Sequence, residues 1–450
     1  MPDHDSPGAV CQEDDPLLHP DRSTGRLRKQ DVYLIGMMFV VNYCNFVCFS
    51  LIAPFFPKEV VTKGGTQALA SWIFGCYQLV VFLVCPQVGK HVSHLGTTFL
   101  FVAGTFVTGT ACALFGLLSM VEDFHAFIAL AFAIRIVEGV GAGAYLTASF
   151  CIAATEYPAR MAFVQGLLET ASGLGLSTGP TIGGALYTAG GYWMPFAVVG
   201  SILVITGLLS TFALQMHSRS RNDSRAHRKV INHASGSLWD LLRIPDVLVS
   251  GMTIVCGAMS IGFYEPSLEL HIDKFLSSPF EVGLVFLASA GSYALFSPLW
   301  GAAADRMKQP KNLMICGSCI VSTALVLMGP APFLGVKTKL WIVILALLLH
   351  GIGVGGQLVP PLRDMLTAAL RNGFRDDVNT HGLGSGLFAS AFSLGAFLGP
   401  LIGGSLIDVI SFEWSAFLIS CINASVAVIL LMIVFLRHRA AHNCQSANNF

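Results

Sequence analysis

Residues 166–186 read GLLETASGLGLSTGPTIGGAL, and residues 386–406 read GLFASAFSLGAFLGPLIGGSL. Set side by side, they share Gly166, Leu167, Ala171, Leu174, Gly175, Gly179, Pro180, Ile182, Gly183, Gly184 and Leu186. Eleven identities in 21 positions are more than apolar composition produces by itself, so the chain carries an internal repeat. A second pair of segments agrees: Pro86 and Gly89 correspond to Pro298 and Gly301.

The repeat sits in a chain built for lipid. Of its 450 residues, 54% are hydrophobic and 12% are charged, about half the charged share of a soluble domain. A bilayer core needs about 20 apolar residues per helix. Twelve such stretches are present, at 32–56, 69–93, 98–120, 124–154, 161–189, 192–214, 247–272, 281–304, 311–332, 338–368, 378–409 and 412–436. The expected fold is an all-α membrane protein with twelve transmembrane helices in two pseudo-symmetric six-helix bundles. The expected divisions are a disordered tail at 1–30, a bundle at 31–214, a linker at 215–246, a second bundle at 247–436 and a tail at 437–450. The linker contains SRSRNDSRAHRK, a composition that favours solvated chain over packed structure. The first thirty residues lack an apolar core, so the first helix is expected to serve as the insertion signal.

Lys and Arg set the expected orientation. With both termini in the cytosol, twenty of the 26 fall on the cytosolic side and five on the other, leaving Arg135 alone within a span. A formal net charge of zero gives no sign of a nucleic-acid partner. Ten of the twelve cysteines fall within the apolar stretches and read as small apolar residues; Cys316 and Cys319 lie close together in one such stretch without further ligands. No metal, cofactor or nucleophile–base constellation is expected, and hence no enzyme.

The turn after the eighth stretch, Gly301-Ala-Ala-Ala-Asp305-Arg306, resembles the Gly-x-x-x-Asp-Arg motif of the major facilitator superfamily. Gly301 permits close helix contact, Asp305 can cap or pair across the bundle, and Arg306 belongs at the cytosolic interface. The first-half copy keeps Gly89 but has Ser93 where the second half has Asp305. In the fourth stretch, Arg135, Glu138, Gly139, Gly141 and Gly143 resemble the superfamily's Arg-x-x-x-Gly-x-Gly pattern, which is linked to proton coupling. Glu138 lies three residues beyond Arg135, on the same helix face. A structural ion pair is the competing reading. Gly175, Gly179, Pro180, Gly183 and Gly184 resemble the superfamily's exchanger signature, with an echo at Gly395, Gly399, Pro400, Gly403 and Gly404.

Carboxylates inside the membrane are costly and mark functional positions. Glu169 lies in the fifth stretch, and its repeat mate is Ala389. Glu265 and Glu269 lie four residues apart in the seventh. With Glu138, they leave excess negative charge opposed only by Arg135. Such groups must take up a proton or meet a cation. Tyr77, Tyr264 and Tyr293 offer cation–π faces, although core packing explains them as well. His350 reads as a packed histidine.

Five segments together resemble the vesicular amine transporter family, and within it the vesicular polyamine transporter branch. They are Ala53-Pro-Phe-Phe-Pro-Lys-Glu59, Gly166-Leu-Leu-Glu-Thr170 with Gly173-Leu-Gly-Leu176, Phe263-Tyr-Glu-Pro266, Gly283-Leu-Val-Phe-Leu287 and Asn372-Gly-Phe374. The resemblance spans about residues 31–436. It implies a proton-coupled antiporter that loads cationic amines into acidic vesicles. Of the acidic positions the monoamine branch uses in helices 1, 7, 10 and 11, only Glu265 is retained. Asn45 stands in helix 1, Gln357 in helix 10 with Asp364 nearer the cytosol, and Ala389 in helix 11. Glu169 is what the polyamine branch adds. Spermidine or spermine would bind deprotonated Glu169 and Glu265. Glu13, Leu17 and Leu18 match an acidic dileucine signal, which implies clathrin adaptors as partners and a secretory, synaptic or endolysosomal vesicle address. A monomer is expected. Two alternatives remain open on sequence alone: a plasma-membrane exporter of organic cations or drugs, and a transport-inactive receptor or scaffold.

Overall fold

In the computed structural model, the described residues are 29–53, 55–225, 237–272, 275, 279–330, 335 and 338–448. Among them every regular element is helical. Twelve long helices account for most of the chain. The first six are α1 (Lys29–Ser50), α2 (Gln67–Leu95), α3 (Thr97–Phe115), α4 (Phe124–Glu156), α5 (Met161–Gly190) and α6 (Trp193–Arg225). The second six are α7 (Pro245–Ile272), α8 (Pro279–Arg306), α9 (Lys311–Met328), α10 (Leu340–Leu358, continued by Pro360–Arg371), α11 (Val378–Ile410) and α12 (Phe412–Asn448). Several starts are fixed by side chains that accept from the first free backbone N–H groups: Asp123 from Ala126 at 2.7 Å, and Asp377 from Thr380 at 2.8 Å.

Eleven of these helices are long and apolar enough to cross a membrane. The remaining one is α5, whose Gly, Ser and Thr content and Glu169 dilute its hydropathy. It does not need a lipid face along its length, because it packs chiefly on α1 and α8. Its repeat mate α11 packs on α7 and α2. The seam between the halves is therefore α5 on α8 and α11 on α2, as a pseudo-twofold relation requires.

Glycine brings these helices into backbone contact. A Cβ on Gly166 would stand 2.5 Å from the Ser297 carbonyl oxygen, and one on Gly301 would overlap the Ala162 carbonyl. Across the other seam, Gly89 meets the Gly382 carbonyl and Gly386 meets the Cys85 carbonyl, each at 2.5 Å from such a Cβ. Further along, Gly175, Gly179 and Gly183 of α5 turn to α1, at Tyr43, Ser50 and Leu51. Gly395, Gly399 and Gly403 of α11 turn to α7, at Val255, Met259 and Phe263. Pro180 and Pro400 sit inside their helices at equivalent positions. The Pro400 ring lies against Gly262. The exchanger-like signature thus acts through packing within each half.

Some expected boundaries differ. The first apolar stretch, 32–56, is interrupted after Ser50, and a short helix follows at Phe56–Thr62. Part of the expected 215–246 linker is helical: α6 runs to Arg225, and Ser237 and Asp240 form a capping box for a short helix at Leu238–Leu242. The expected tail at 437–450 continues α12 as far as Asn448. Polar sequence extends a helix readily once a packed apolar span has nucleated it. Glu13, Leu17 and Leu18 lie outside the described residues.

Candidate functional site

Glu169 is on α5, 3% exposed, and its carboxylate accepts a hydrogen bond from the Tyr293 hydroxyl of α8 at 2.8 Å. This bond joins the two halves. One residue on, the Thr170 hydroxyl donates to the Ala294 carbonyl at 2.8 Å. A little nearer the α5 N-terminus, the Gln165 amide donates to the Leu358 carbonyl of α10 at 3.1 Å. Two residues named from sequence, Glu169 and Tyr293, are thus brought together across the seam.

Behind Glu169 the first half supplies a buried polar knot. Asn42 of α1 donates to the Leu168 carbonyl at 2.5 Å and to the Ser172 hydroxyl at 2.8 Å. Tyr145 of α4 donates to the Asn42 side-chain oxygen at 2.5 Å. Asn42 escaped the sequence reading. Its signal was there: an amide in an apolar span, one turn before Asn45.

The second half supplies a matching network. Tyr264 donates to the Ser289 hydroxyl at 3.1 Å. His350 lies 2.9 Å from Ser260 and 3.3 Å from Ser289 through its two ring nitrogens. The Tyr264 and His350 rings meet edge-on at 4.9 Å. Tyr264 is therefore occupied by its own half rather than held free as a cation–π face. Ser289 and Tyr293 are one turn apart on α8, so this helix carries both the Glu169 contact and the His350 network. Glu265, beside Tyr264, is exposed, and it forms no hydrogen bond or ion pair among the described residues. The Glu269 side chain lies outside the described residues.

Glu138 does not add to the unopposed negative charge. It accepts from Arg135 at 2.8 Å, and both side chains are buried. The Arg135 guanidinium also faces the rings of Phe74, Tyr77 and Phe115 at 5.8, 5.7 and 5.1 Å. The described excess thus reduces to Glu169 and Glu265. Asp364 is likewise compensated: Lys311 bridges it and Asp246, and Ser250 donates to it at 2.6 Å. Arg437 closes that cluster on Asp246. The sequence offered no spacing rule that unites residues from four helices.

The motif residues divide unequally between the halves. Asp305 accepts from the backbone N–H groups of Ala162 and Phe163, at 3.0 and 2.8 Å, and so caps the start of α5. Arg306 is exposed beside it. Ser93, in the equivalent place, reaches Asn379 at the start of α11 through one bond of 3.4 Å. A charged double cap on one seam faces a single neutral contact on the other. Asn45 is buried and lines a small pocket between α1, α2, α4 and α11.

The profile of the Major Facilitator Superfamily matches residues 38–271 and again 251–449. The human MFS-type transporter SLC18B1 is 38% identical over 407 residues, covering 90% of this chain and 86% of that one. The mouse SLC18B1 is 37% identical over 413 residues, 91% of this chain and 88% of that one. The human chromaffin granule amine transporter is 24% identical over 381 residues, 82% of this chain and 64% of that one. Among solved structures, the human organic anion transporter MFSD10 shares the fold, with a TM-score of 0.66 at 17% identity over 90% of this chain and 100% of that one. Fold and relatives together define a multi-pass membrane transporter rather than an enzyme. The chain belongs to the major facilitator superfamily and, within it, to the vesicular amine transporter family, alongside the SLC18B1 transporters.

Proposed function

We propose that the chain is a proton-coupled antiporter that carries cationic amines, polyamines such as spermidine and spermine foremost, from the cytosol into acidic secretory vesicles. The observation that carries this reading is the contact between Glu169 and Tyr293. A carboxylate buried in a span needs a proton or a cation beside it. Among the described residues, Glu169 instead has a neutral phenol from the opposite half as its hydrogen-bond partner, so whatever neutralises it also acts on the seam. The amine class follows the names of the chromaffin granule and synaptic vesicular amine transporters.

The cycle runs by alternating access. Cytosolic amine binds deprotonated Glu169 and Glu265. The halves rock about α5–α8 and α2–α11, luminal acid protonates the carboxylates, and the amine leaves. Arg135 and Glu138 hold α4 and bias the proton step. The excess of Lys and Arg puts both termini in the cytosol. On that orientation the Asp305 cap and the Gly89, Gly166, Gly301 and Gly386 contacts close the cytosolic end. The segments at 31–214 and 247–436 act as the two moving bodies of a monomer. Glu13, Leu17 and Leu18 direct the protein to vesicles through clathrin adaptors.

The test is uptake of radiolabelled spermidine by liposomes reconstituted with the purified protein and loaded with acid, with and without an uncoupler. The wild type should accumulate spermidine only while the pH gradient lasts, and Glu169→Gln should abolish that uptake. Normal uptake by the variant removes Glu169 from the site.

A further inference from the structure

The internal repeat sets two buried titratable groups of opposite kind at one position. Pro86 and Pro298, and Gly89 and Gly301, are 212 residues apart. At the same offset, Glu138-Gly139-Val-Gly141-Ala-Gly143 of α4 falls on His350-Gly351-Ile-Gly353-Val-Gly355 of α10. The packing agrees. A Cβ on Gly139 would stand 3.1 Å from the Tyr77 carbonyl of α2, and one on Gly351 would overlap the carbonyl of Ser289, the counterpart of Tyr77 on α8. Glu138 is held by Arg135, but Leu347 takes the place of that arginine before His350. Among the described residues, the hydrogen-bond partners of the fully buried His350 are two serines and no charged group. Three helices pack on α10 here. From α7, Tyr264 meets the His350 ring, and the exposed Glu265 follows it in the chain. From α8 comes Tyr293, bonded to Glu169 of α5. From α9, the neutral Gly317 and Val321 face Gly353.

The partners fix where the hydrogens lie. The Ser260 hydroxyl donates to the Gly257 carbonyl at 2.7 Å, so toward His350 Nε2, 2.9 Å away, it accepts, and Nε2 carries the ring hydrogen. Ser289 accepts from the Tyr264 hydroxyl at 3.1 Å, which leaves its own hydrogen for His350 Nδ1 at 3.3 Å. The chain therefore has one direction: Tyr264 donates to Ser289, and Ser289 donates to Nδ1.

We infer that His350 is a proton-carrying residue of the second half, loaded at Nδ1 through Tyr264 and Ser289, and that its charge expels the amine. A proton from luminal water binds the Tyr264 oxygen as the Tyr264 hydrogen passes to Ser289 and the Ser289 hydrogen passes to Nδ1. Within the network two O–H bonds break, two O–H bonds and one N–H bond form, and the gain is one proton, held as an imidazolium. Ser289 and Tyr293 lie one turn, about 5 Å, apart on α8. The new positive charge thus arises close to the contact between Tyr293 and Glu169. Like charges repel more strongly where water is excluded, so an ammonium at Glu169 is weakened on the luminal side. Its binding recovers when Nδ1 returns the proton to the cytosol. Packing alone would not require a partner at both ring nitrogens.

The inference rests on the amine-transport reading, and the experiment separates the two. His350→Gln keeps a donor and an acceptor for the two serines but carries no proton. Two rates are read in the reconstituted liposomes. One is spermidine exchange with the same pH on both sides, which needs no net proton movement. The other is acid-driven spermidine uptake over a series of internal pH values. His350→Gln should keep exchange near the wild-type rate, lose about tenfold in acid-driven uptake and lose most of its dependence on internal pH. Ser289→Ala leaves the imidazole in place and cuts the chain, so it should slow acid-driven uptake severalfold with exchange intact. It carries the test if His350→Gln does not fold. Equal losses of exchange and acid-driven uptake would make this network a packing device and overturn the inference. Wild-type acid-driven uptake in either variant would also overturn it, and amine transport would stand in both cases. A wild type that moves no amine at all overturns both.

Discussion

The Tyr293 hydroxyl of α8 donates to the Glu169 carboxylate of α5 across 2.8 Å, and this one bond ties the two halves together at a buried charge. A hydrogen bond to a charged group contributes about 1.5–3 kcal/mol. Tyr293→Phe removes only that bond and keeps the ring against Gly173. Spermidine kcat/KM in the liposome assay should fall about tenfold or more, with the melting temperature within a few degrees of the wild type. Wild-type kinetics in Tyr293→Phe would mean that the contact is packing without function.

Glu265 is exposed and has no partner among the described residues, so its carboxylate contributes nothing visible to the fold. Glu265→Gln should therefore leave thermal stability unchanged while cutting spermidine uptake at least tenfold. A matching loss of melting temperature would assign Glu265 to structure instead.

Gly166 and Gly301 let α5 and α8 touch backbone to backbone, whereas a Cβ on Gly291 of α8 meets nothing within 4 Å. Gly166→Val and Gly301→Val should force this seam apart and slow transport by an order of magnitude or more. Gly291→Ala should behave as the wild type. Cysteine-specific labelling of a reporter thiol near the linker end should increase in the first two variants only.

Asp305 supplies two charge-assisted bonds to the start of α5. Losing a cap of this kind costs about 1–2 kcal/mol. Because this cap spans the halves, the cost falls on one conformation. Cysteines placed at Ser93 and Asn379, which touch across the other seam, should cross-link readily in the wild-type background. Yield should drop severalfold when Asp305→Ala is added. An unchanged yield would show that the two seams open independently.

Arg135 and Glu138 form a pair with both side chains buried. Removing one partner strands a buried charge, at a cost of about 3–5 kcal/mol. Arg135→Met and Glu138→Met should each lower the melting temperature in detergent by several degrees, and the double variant should recover much of the loss. If the recovered double variant also regains uptake, the pair is structural. If it stays inactive, the pair takes part in proton movement.

Much of this was legible in order along the chain. The apolar stretches marked the spans to within a few residues. The repeat at 166–186 and 386–406 identified α5 and α11 as counterparts, and the structure sets both between the halves. Glu169 and Glu265 were visible because a carboxylate in an apolar run has no bland explanation. Partnership between helices was not visible. The Arg135–Glu138 pair could be anticipated because three residues along one helix is a local spacing, whereas the Tyr293 partner of Glu169 and the Ser289 and His350 partners of the Tyr264 region lie on other helices.

The amino-acid sequence alone determined that the chain spans the membrane, that it has two related halves, and which spans carry charge. These follow from hydropathy and helical period, which are local properties read one segment at a time. Only the tertiary structure decided that Glu169 meets Tyr293, that Asp305 caps a helix in the other half, and that Asn45, Gln78 and Ser393 share one pocket. Those pairings join residues more than a hundred positions apart, or on three different helices. They depend on which face each helix turns to its neighbour, and that is set by glycine contacts and side-chain packing summed over the whole bundle.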